Sequence, residues 1–276
     1  MLVNILKEIV NEKQKLGIPN FVIINFLKEF LQYPVLNFLY SNKKYNDFIF
    51  TGGSCLRICY GLPRLSEDLD FDLPANSFQK LDLKLLSDEL VNYFKINGLL
   101  EIDVKIQSDK RLYLKFPVLN NLGLSKNISE SDFLYVKLEF SKSEYTKPKI
   151  EINPISKFGY NTVVKNYSLE YLMTGKIRAL LNRSWFKGDK NEINIKGRDF
   201  YDLFWYLQND IEPNWSELAK TDGIKNMAEL KNKIKLLIEK NVTPQKLAYD
   251  LKNFFNDQNF IDDFCKNYRV IIEKYL

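Results

Sequence analysis

The sequence predicts an α+β chain, a mixed sheet with flanking helices over residues 1–166 followed by a helical part over 167–276, and three observations carry that expectation. Short runs that alternate apolar and polar residues are concentrated between about 99 and 165, whereas apolar residues spaced for helices dominate from about 167 onward. Between the first helical stretch and those alternating runs, an apolar segment ends in Gly52-Gly53, and the strictly alternating segment "EDLDFDL" follows it. Strands gathered in one half and helices in the other indicate an α+β arrangement rather than alternating βαβ units.

Residues from about 2 to 42 carry helical spacing, with an interruption expected at Pro34. "DFIFTGG" reads as a buried strand and turn, and a short helix is expected from about Ser54 to Tyr60. In "EDLDFDL" the period of two places Asp68, Asp70 and Asp72 on one face of a strand, with Leu69, Phe71 and Leu73 on the other. A helix is expected over 80–97, and "EIDVKIQ", "RLYLKFPVL" and "FLYVKLEFS" read as strands separated by polar turns. The later segments "SLEYLMTGKIRALLNRSW", "GRDFYDLFWYLQ", "NMAELKNKIKLLIEK" and "TPQKLAYDLKNFF" all read as helices, as does the C-terminal segment. The polar, basic stretch "NRSWFKGDKNEINIKGRD" between two of them is expected to form a mobile loop over a site.

Composition narrows the chemistry. The chain contains no histidine and only three cysteines, Cys55, Cys59 and Cys265, so imidazole-based catalysis and nitrogen–sulfur zinc sites are excluded. Any metal would be held by oxygen, which suits magnesium, or manganese in its place. The odd cysteine count, with Cys55 and Cys59 four apart on an expected helix, argues against a disulfide framework and for a reducing cytoplasm. No stretch has eighteen uninterrupted apolar residues, so no membrane association is expected. The formal net charge of +5 suits a polyanionic partner without requiring one.

The segment from Thr51 to Leu73 combines two devices. Gly52 and Gly53 let the backbone approach a ligand closely, and Ser54 is expected to offer a hydroxyl and an N–H at a helix N-terminus, which together form a phosphate cradle. Asp68 and Asp70, a dipeptide apart on one strand face, repel each other unless a cation neutralises them, and magnesium bridges carboxylates and phosphate naturally. On the strand "LYVKLEFSK", Glu139 is placed to complete a three-carboxylate metal site, with Asp72 its rival by parity and a solvated charge beside Lys137 the bland reading. In the helix expected over 168–183, Lys176 lies four residues from both Leu172 and Leu180, so its ammonium rises from an apolar stripe and calls for an anion, with Arg183 beyond it. In "RDFYDLFWYL", Phe200, Leu203, Phe204 and Leu207 form a core stripe, which leaves Asp199, Asp202 and Tyr206 on the adjacent face after Arg198.

The run "GGSCLRICYGLPRLSEDLDFDL", together with "YLMTGKIRALLNR" and "GRDFYDLFWYL", resembles the nucleotidyltransferase signature of the AbiEii/AbiGii toxin family, within the DNA polymerase β-like superfamily. The resemblance implies a nucleotidyltransferase-like sheet domain and a helical domain contributing to the active-site cleft. It also implies nucleotide-binding roles for Arg64, Ser66, Arg183 and Arg198, a catalytic or triphosphate-binding role for Lys176, and an active-site aspartate that is either Asp199 or Asp202.

The leading expectation is a magnesium-dependent enzyme that moves a nucleotide from an NTP to an acceptor hydroxyl. By resemblance the acceptor is a tRNA 3′ end or another nucleic acid, and the protein is the toxin of a toxin–antitoxin or phage-defence system with a cognate antitoxin. Trp185 and the basic segment Arg183–Arg198, with Lys187, Lys190 and Lys196, are expected to grip that acceptor. Two alternatives stay open: a non-catalytic protein that binds antitoxin or nucleic acid on the same scaffold, and an enzyme that modifies a protein side chain or a small molecule.

Overall fold

The computed structural model describes residues 2–125, 131–183, 186–187 and 193–276. They form two compact units, Met1–Thr146 with Ile150–Asn166, and Lys147–Lys149 with Tyr167–Leu276. Among the described residues, no helix is long and apolar enough to cross a membrane.

The first unit opens with helices α1 (Leu2–Lys15) and α2 (Asn20–Ser41). The expected break at Pro34 does not occur, because Pro34 lies inside α2 and the helix runs through it. The break falls instead at Gly17, whose φ of 71° leaves the helical region, and at Pro19, which takes the N-cap position of α2. Most of α2 from Val22 to Tyr40 is buried, and that burial outweighs the backbone hydrogen bond lost at the proline.

Next come β1 (Ile49–Thr51), α3 (Gly52–Tyr60), β2 (Asp68–Leu73), α4 (Ala75–Gln79) and α5 (Leu83–Ile96). The strands β3 (Asp103–Gln107), β4 (Arg111–Pro117), β5 (Phe133–Lys142), β6 (Ile150–Lys157) and β7 (Tyr160–Tyr167) complete the sheet. Among the described residues the seven strands lie in the order β3-β4-β5-β2-β1-β7-β6. The sheet is mixed: β2 runs parallel to β5 and β1 to β7, while β1–β2, β3–β4 and β4–β5 are antiparallel.

Register decides what the alternating strands bring together. Phe50, Phe71 and Phe140 fall side by side on β1, β2 and β5 and are buried as a stacked row, with ring centroids 5.5 Å and 5.7 Å apart. The burial of these rings fixes the strand faces, because a one-residue slip would turn every one of them to the other side. The adjacent register row, Thr51, Asp70, Glu139 and Arg111, therefore lies on the opposite face across four strands.

The second unit is helical: α6 (Leu169–Asn182), α7 (Gly197–Gln208), α8 (Trp215–Asp222), α9 (Met227–Asn241), α10 (Pro244–Leu251) and α11 (Gln258–Glu273), with a 3₁₀ turn at Lys252–Phe254. Helix α8 was not expected; it is short, and Leu218 is its one buried residue. α7 forms the middle of this unit. Tyr201 packs against Phe255 and Phe264 at 4.8 Å and 5.3 Å, and the buried Tyr268 hydroxyl donates to the Phe200 carbonyl at 3.2 Å.

The first residue of α7 is glycine for a steric reason: a Cβ at Gly197 would stand 2.5 Å from the Leu247 carbonyl oxygen of α10. Because the obstructing atom is backbone, Gly197→Ala is expected to force the two helices apart and cost about 1–3 kcal/mol, the usual range for overpacking. A thermal melt checks this, and an unchanged melting temperature would mean that α7 and α10 can separate freely.

Candidate active site

In the first unit, the chain leaves β1 and turns at once into α3. Gly52 has φ 75°, a conformation that side chains rarely adopt, and a Cβ there would overlap the Asp70 carboxylate. The carboxylate of β2 thus lies directly against the first residue of α3. A Cβ at Gly53 would meet Arg64 Nη2 at 2.6 Å and Ser66 Oγ at 3.1 Å. The two glycines are needed for different neighbours, one for an aspartate and one for the arm, residues 61–67, that leads into β2. Thr51, at the N-cap of α3, makes no side-chain capping bond, so the cap leaves the first-turn N–H groups to another acceptor.

Ser54 does not present its hydroxyl to an anion as expected. It is fully buried and donates to the backbone carbonyl of Asp68, tying α3 to β2. What Ser54 retains for an anion is its backbone N–H. Arg64 is also buried, at 2 % exposed, and donates to the Leu65 carbonyl at 2.9 Å, so it backs the glycine turn rather than extending a free head into solvent.

Beside the turn, two cations interleave with the carboxylates. Lys137, opposite Asp68 in the parallel register, reaches Asp68 Oδ2 at 2.7 Å and Glu139 Oε2 at 3.2 Å. Arg111 reaches Glu139 Oε1 at 2.8 Å from β4. Burial works against the charge on Lys137, but Asp68, Asp70 and Glu139 outweigh it and raise the ammonium pKa. Burial likewise tends to raise the Glu139 carboxyl, and the Arg111 and Lys137 contacts overrule it and hold it below the usual range.

These pairings bear on metal binding. Among the described residues no group of three or more carboxylates or thiols is gathered closely enough to hold an ion. Glu139, expected as the third ligand, is instead engaged by Arg111 and Lys137. Asp68 and Asp70 fit a magnesium ion by a different count, because this ion is commonly held by one or two carboxylates with substrate phosphates and waters completing the octahedron.

The second unit gathers the other expected residues around a lysine. Lys176 Nζ lies 2.9 Å from Asp199 Oδ1 and 2.8 Å from Asp202 Oδ2, and Arg183 reaches Asp199 Oδ2 at 2.6 Å. Both aspartates are buried, Asp202 completely, and both engage the same lysine. Burial pushes the Asp199 carboxyl up, but Lys176 and Arg183 overcome it and the pKa is lowered. Arg198 turns to Asp250 at 3.2 Å and lies over the Phe254 ring at 4.2 Å, a partner that sequence reading missed because Asp250 is 52 residues away.

A cleft of about 290 Å³ in this unit is lined by Arg183, Phe186, Lys196 and Asp199 among others. Burial, with nearby Arg183 and Arg198 adding to it, lowers the Lys196 pKa. Trp185 and Lys190, named above as acceptor contacts, lie outside the described residues; Lys187 is exposed. Phe186, which sequence reading passed over, is 57 % exposed and faces the cleft. Burial pushes the Cys55 thiol well above its ordinary pKa and that of Cys265 to about 12, so both favour the uncharged thiol.

A mixed sheet with a glycine turn against an aspartate pair, and a separate helical unit, define the class to which comparison assigns the chain. A family model for the nucleotidyl transferase AbiEii toxin of type IV toxin–antitoxin systems matches residues 37–276, and the chain belongs to that family. It is therefore a nucleotidyltransferase, and membership implies an NTP substrate and an antitoxin partner. No curated protein matches the chain. Among solved structures, JHP933 from Helicobacter pylori aligns over 91 % of this chain and 93 % of its own, at 18 % identity and a TM-score of 0.45. A second H. pylori protein, provisionally described as a nucleotidyltransferase, aligns over 90 % and 94 % at 19 % identity and a TM-score of 0.44.

Proposed function

We propose that the protein transfers a nucleotidyl group from an NTP to the 3′ hydroxyl of an RNA, with tRNA the leading acceptor, and that it needs magnesium to do so. The single observation that carries the reading is the packing of Asp70 against Gly52 at the N-terminus of α3, which puts a carboxylate beside backbone N–H groups suited to phosphate. Asp68 and Asp70 would hold the metal, which when bound lowers the pKa of the attacking hydroxyl and stabilises the departing pyrophosphate.

The chain's own residues do the rest. The Gly52-Gly53 turn lets main-chain N–H groups reach the β- and γ-phosphates without a side chain between, and the Arg64 guanidinium beside Gly53 adds positive charge at that turn. The acceptor oxygen forms a bond to the α-phosphorus as the α–β bridging bond breaks; pyrophosphate leaves with that electron pair, and the hydroxyl proton passes to solvent. Lys137, paired with Asp68 and Glu139, balances the negative charge of the strand face before substrate arrives.

The cleft of the helical unit supports the RNA assignment. Arg183 and Lys196 supply charge for acceptor phosphates, and the exposed ring of Phe186 offers a platform for an unstacked base. In a cell, a modified tRNA 3′ end cannot be aminoacylated, which accounts for toxicity at slow turnover and for a role in phage defence.

The test is incubation of the protein with each labelled NTP, magnesium and a mixture of total cellular RNA and protein. Label is expected in an RNA of tRNA size and to be lost when the metal is chelated. Label in a polypeptide would replace the acceptor while keeping the enzyme, and labelling that survives chelation would remove the metal.

A further inference from the structure

The arm between α3 and β2 that carries Arg64 and Ser66 is held in place by one face of α2. Lys28 lies four residues and Glu29 three residues before Gln32, so both flank Gln32 on one side of the helix. Each is spent on the arm or on the residue that anchors it. Lys28 Nζ pairs with Glu67 Oε2 at 3.0 Å, at the end of the arm next to β2. Gln32, with no exposed surface, donates from Nε2 to the Ser66 carbonyl at 3.2 Å. Glu29, 4 % exposed, accepts from Arg57 Nε at 3.0 Å, and Arg57 in turn donates to the Leu62 and Pro63 carbonyls, both at 3.0 Å.

Such a polar face is costly inside a helix that is otherwise buried in apolar surroundings. Gln32 Oε1 has no hydrogen-bond partner among the described residues, a cost that an apolar side chain would not carry. Breaking the Gln32 contact would take a donor from the Ser66 carbonyl, and breaking the Lys28 or Arg57 contact would take an ion-pair contact from Glu67 or from Glu29, which keeps Lys157 at 3.5 Å. The face therefore fixes the arm's path at its start, through Leu62 and Pro63, and at its end, through Ser66 and Glu67. Between those points sits Arg64, against Gly53.

We infer that Lys28, Glu29 and Gln32 are positioning residues for the phosphate-binding turn: they act through the arm, which presses Arg64 and Ser66 against Gly53 and so holds the Gly52-Gly53 backbone in its binding shape. All three precede residue 37, where the family match begins, so the family assignment does not account for them. The inference rests on the nucleotide-binding reading of the turn given above.

Inorganic tripolyphosphate isolates the turn from base and sugar, and its binding to the full chain can be followed by titration calorimetry beside that of an NTP. Gln32→Leu keeps the side-chain volume and removes the donor; it is expected to weaken tripolyphosphate binding about tenfold, the effect of one lost hydrogen bond. If Gln32 acts through the arm, Gln32→Leu added to Arg64→Ala should lose nothing further. Lys28→Glu should weaken binding as well, and Glu67→Lys in the same chain should restore it. A merely structural role would lower the melting temperature without producing this non-additivity or this rescue. Parental binding in Gln32→Leu, or full additivity with Arg64→Ala, overturns the inference alone. Failure of the unaltered protein to bind either NTP or tripolyphosphate overturns the nucleotide reading and the inference with it.

Discussion

Asp70→Asn is expected to lower nucleotidyl transfer by about 10²–10⁴-fold while leaving the fold intact, because it removes one charge and nothing else. Asparagine keeps the shape that fits against Gly52, so packing at the glycine turn survives, but a neutral amide holds magnesium poorly. Asp68→Asn should behave similarly, with a second effect: the ammonium of Lys137 loses its 2.7 Å carboxylate partner and keeps its ion pair with Glu139 and the nearby charge of Asp70. Steady-state transfer measured beside circular dichroism checks both. Undiminished transfer by Asp70→Asn would remove these carboxylates from the chemistry. Gly52→Ala approaches the same place from the other side, since its Cβ would displace the Asp70 carboxylate and its φ of 75° would be strained by about 1–3 kcal/mol. It should lose both activity and stability, whereas the asparagine variants lose activity alone.

The second large effect is expected at Lys176. On sequence grounds its removal should have spared stability, since the lysine was expected to reach for a ligand. Its contacts with two buried aspartates change that expectation. Lys176→Met would leave Asp199 with Arg183 and take from the buried Asp202 its 2.8 Å contact with the ammonium, and breaking a buried pair in this way costs about 3–5 kcal/mol.

The pH dependence carries the sign. In the parent, Asp199 titrates below its unfolded value, so its contribution is complete above about pH 4 and is lost as the pH falls through the folded value. With the lysine gone, burial is opposed by less charge and the carboxyl moves upward, so acid relieves the variant instead of weakening it. The difference in melting temperature between parent and Lys176→Met should therefore narrow from neutral pH toward pH 5. A gap that stays constant, or the absence of any gap, would show that the aspartates do not depend on this lysine.

The parts of the site that could be read from the sequence are those with a local cause. Gly52-Gly53 after an apolar run announces a tight backbone turn, and the period of two in "EDLDFDL" assigns its aspartates to one face whatever the strand pairs with. The parts that could not be read depend on partners distant in the chain. Ser54 was expected at an anion because a serine at a helix start ordinarily offers its hydroxyl there; the return of β2 beside α3 brings the Asp68 carbonyl within reach and takes it. Pro34 looked like a break because the helix rule is local, whereas its tolerance comes from burial along α2.

By itself, the sequence determined that this protein works without imidazole, that any metal it holds is bound through oxygen, and that a glycine turn precedes a strand whose aspartates share one face. It also carried the family, because the motifs lie in continuous segments. The tertiary structure alone decided how the charges pair. Asp68 meets Lys137, Glu139 meets Arg111, and Lys176 lies between Asp199 and Asp202 because strand register and helix packing bring them together. It also decided that a polar face of α2, unremarkable as a sequence, grips the arm behind Gly53. The physical reason is the reach of each signal: hydrophobic period and backbone permissiveness act over a few residues, whereas desolvation makes a buried charge take whichever opposite charge the fold delivers.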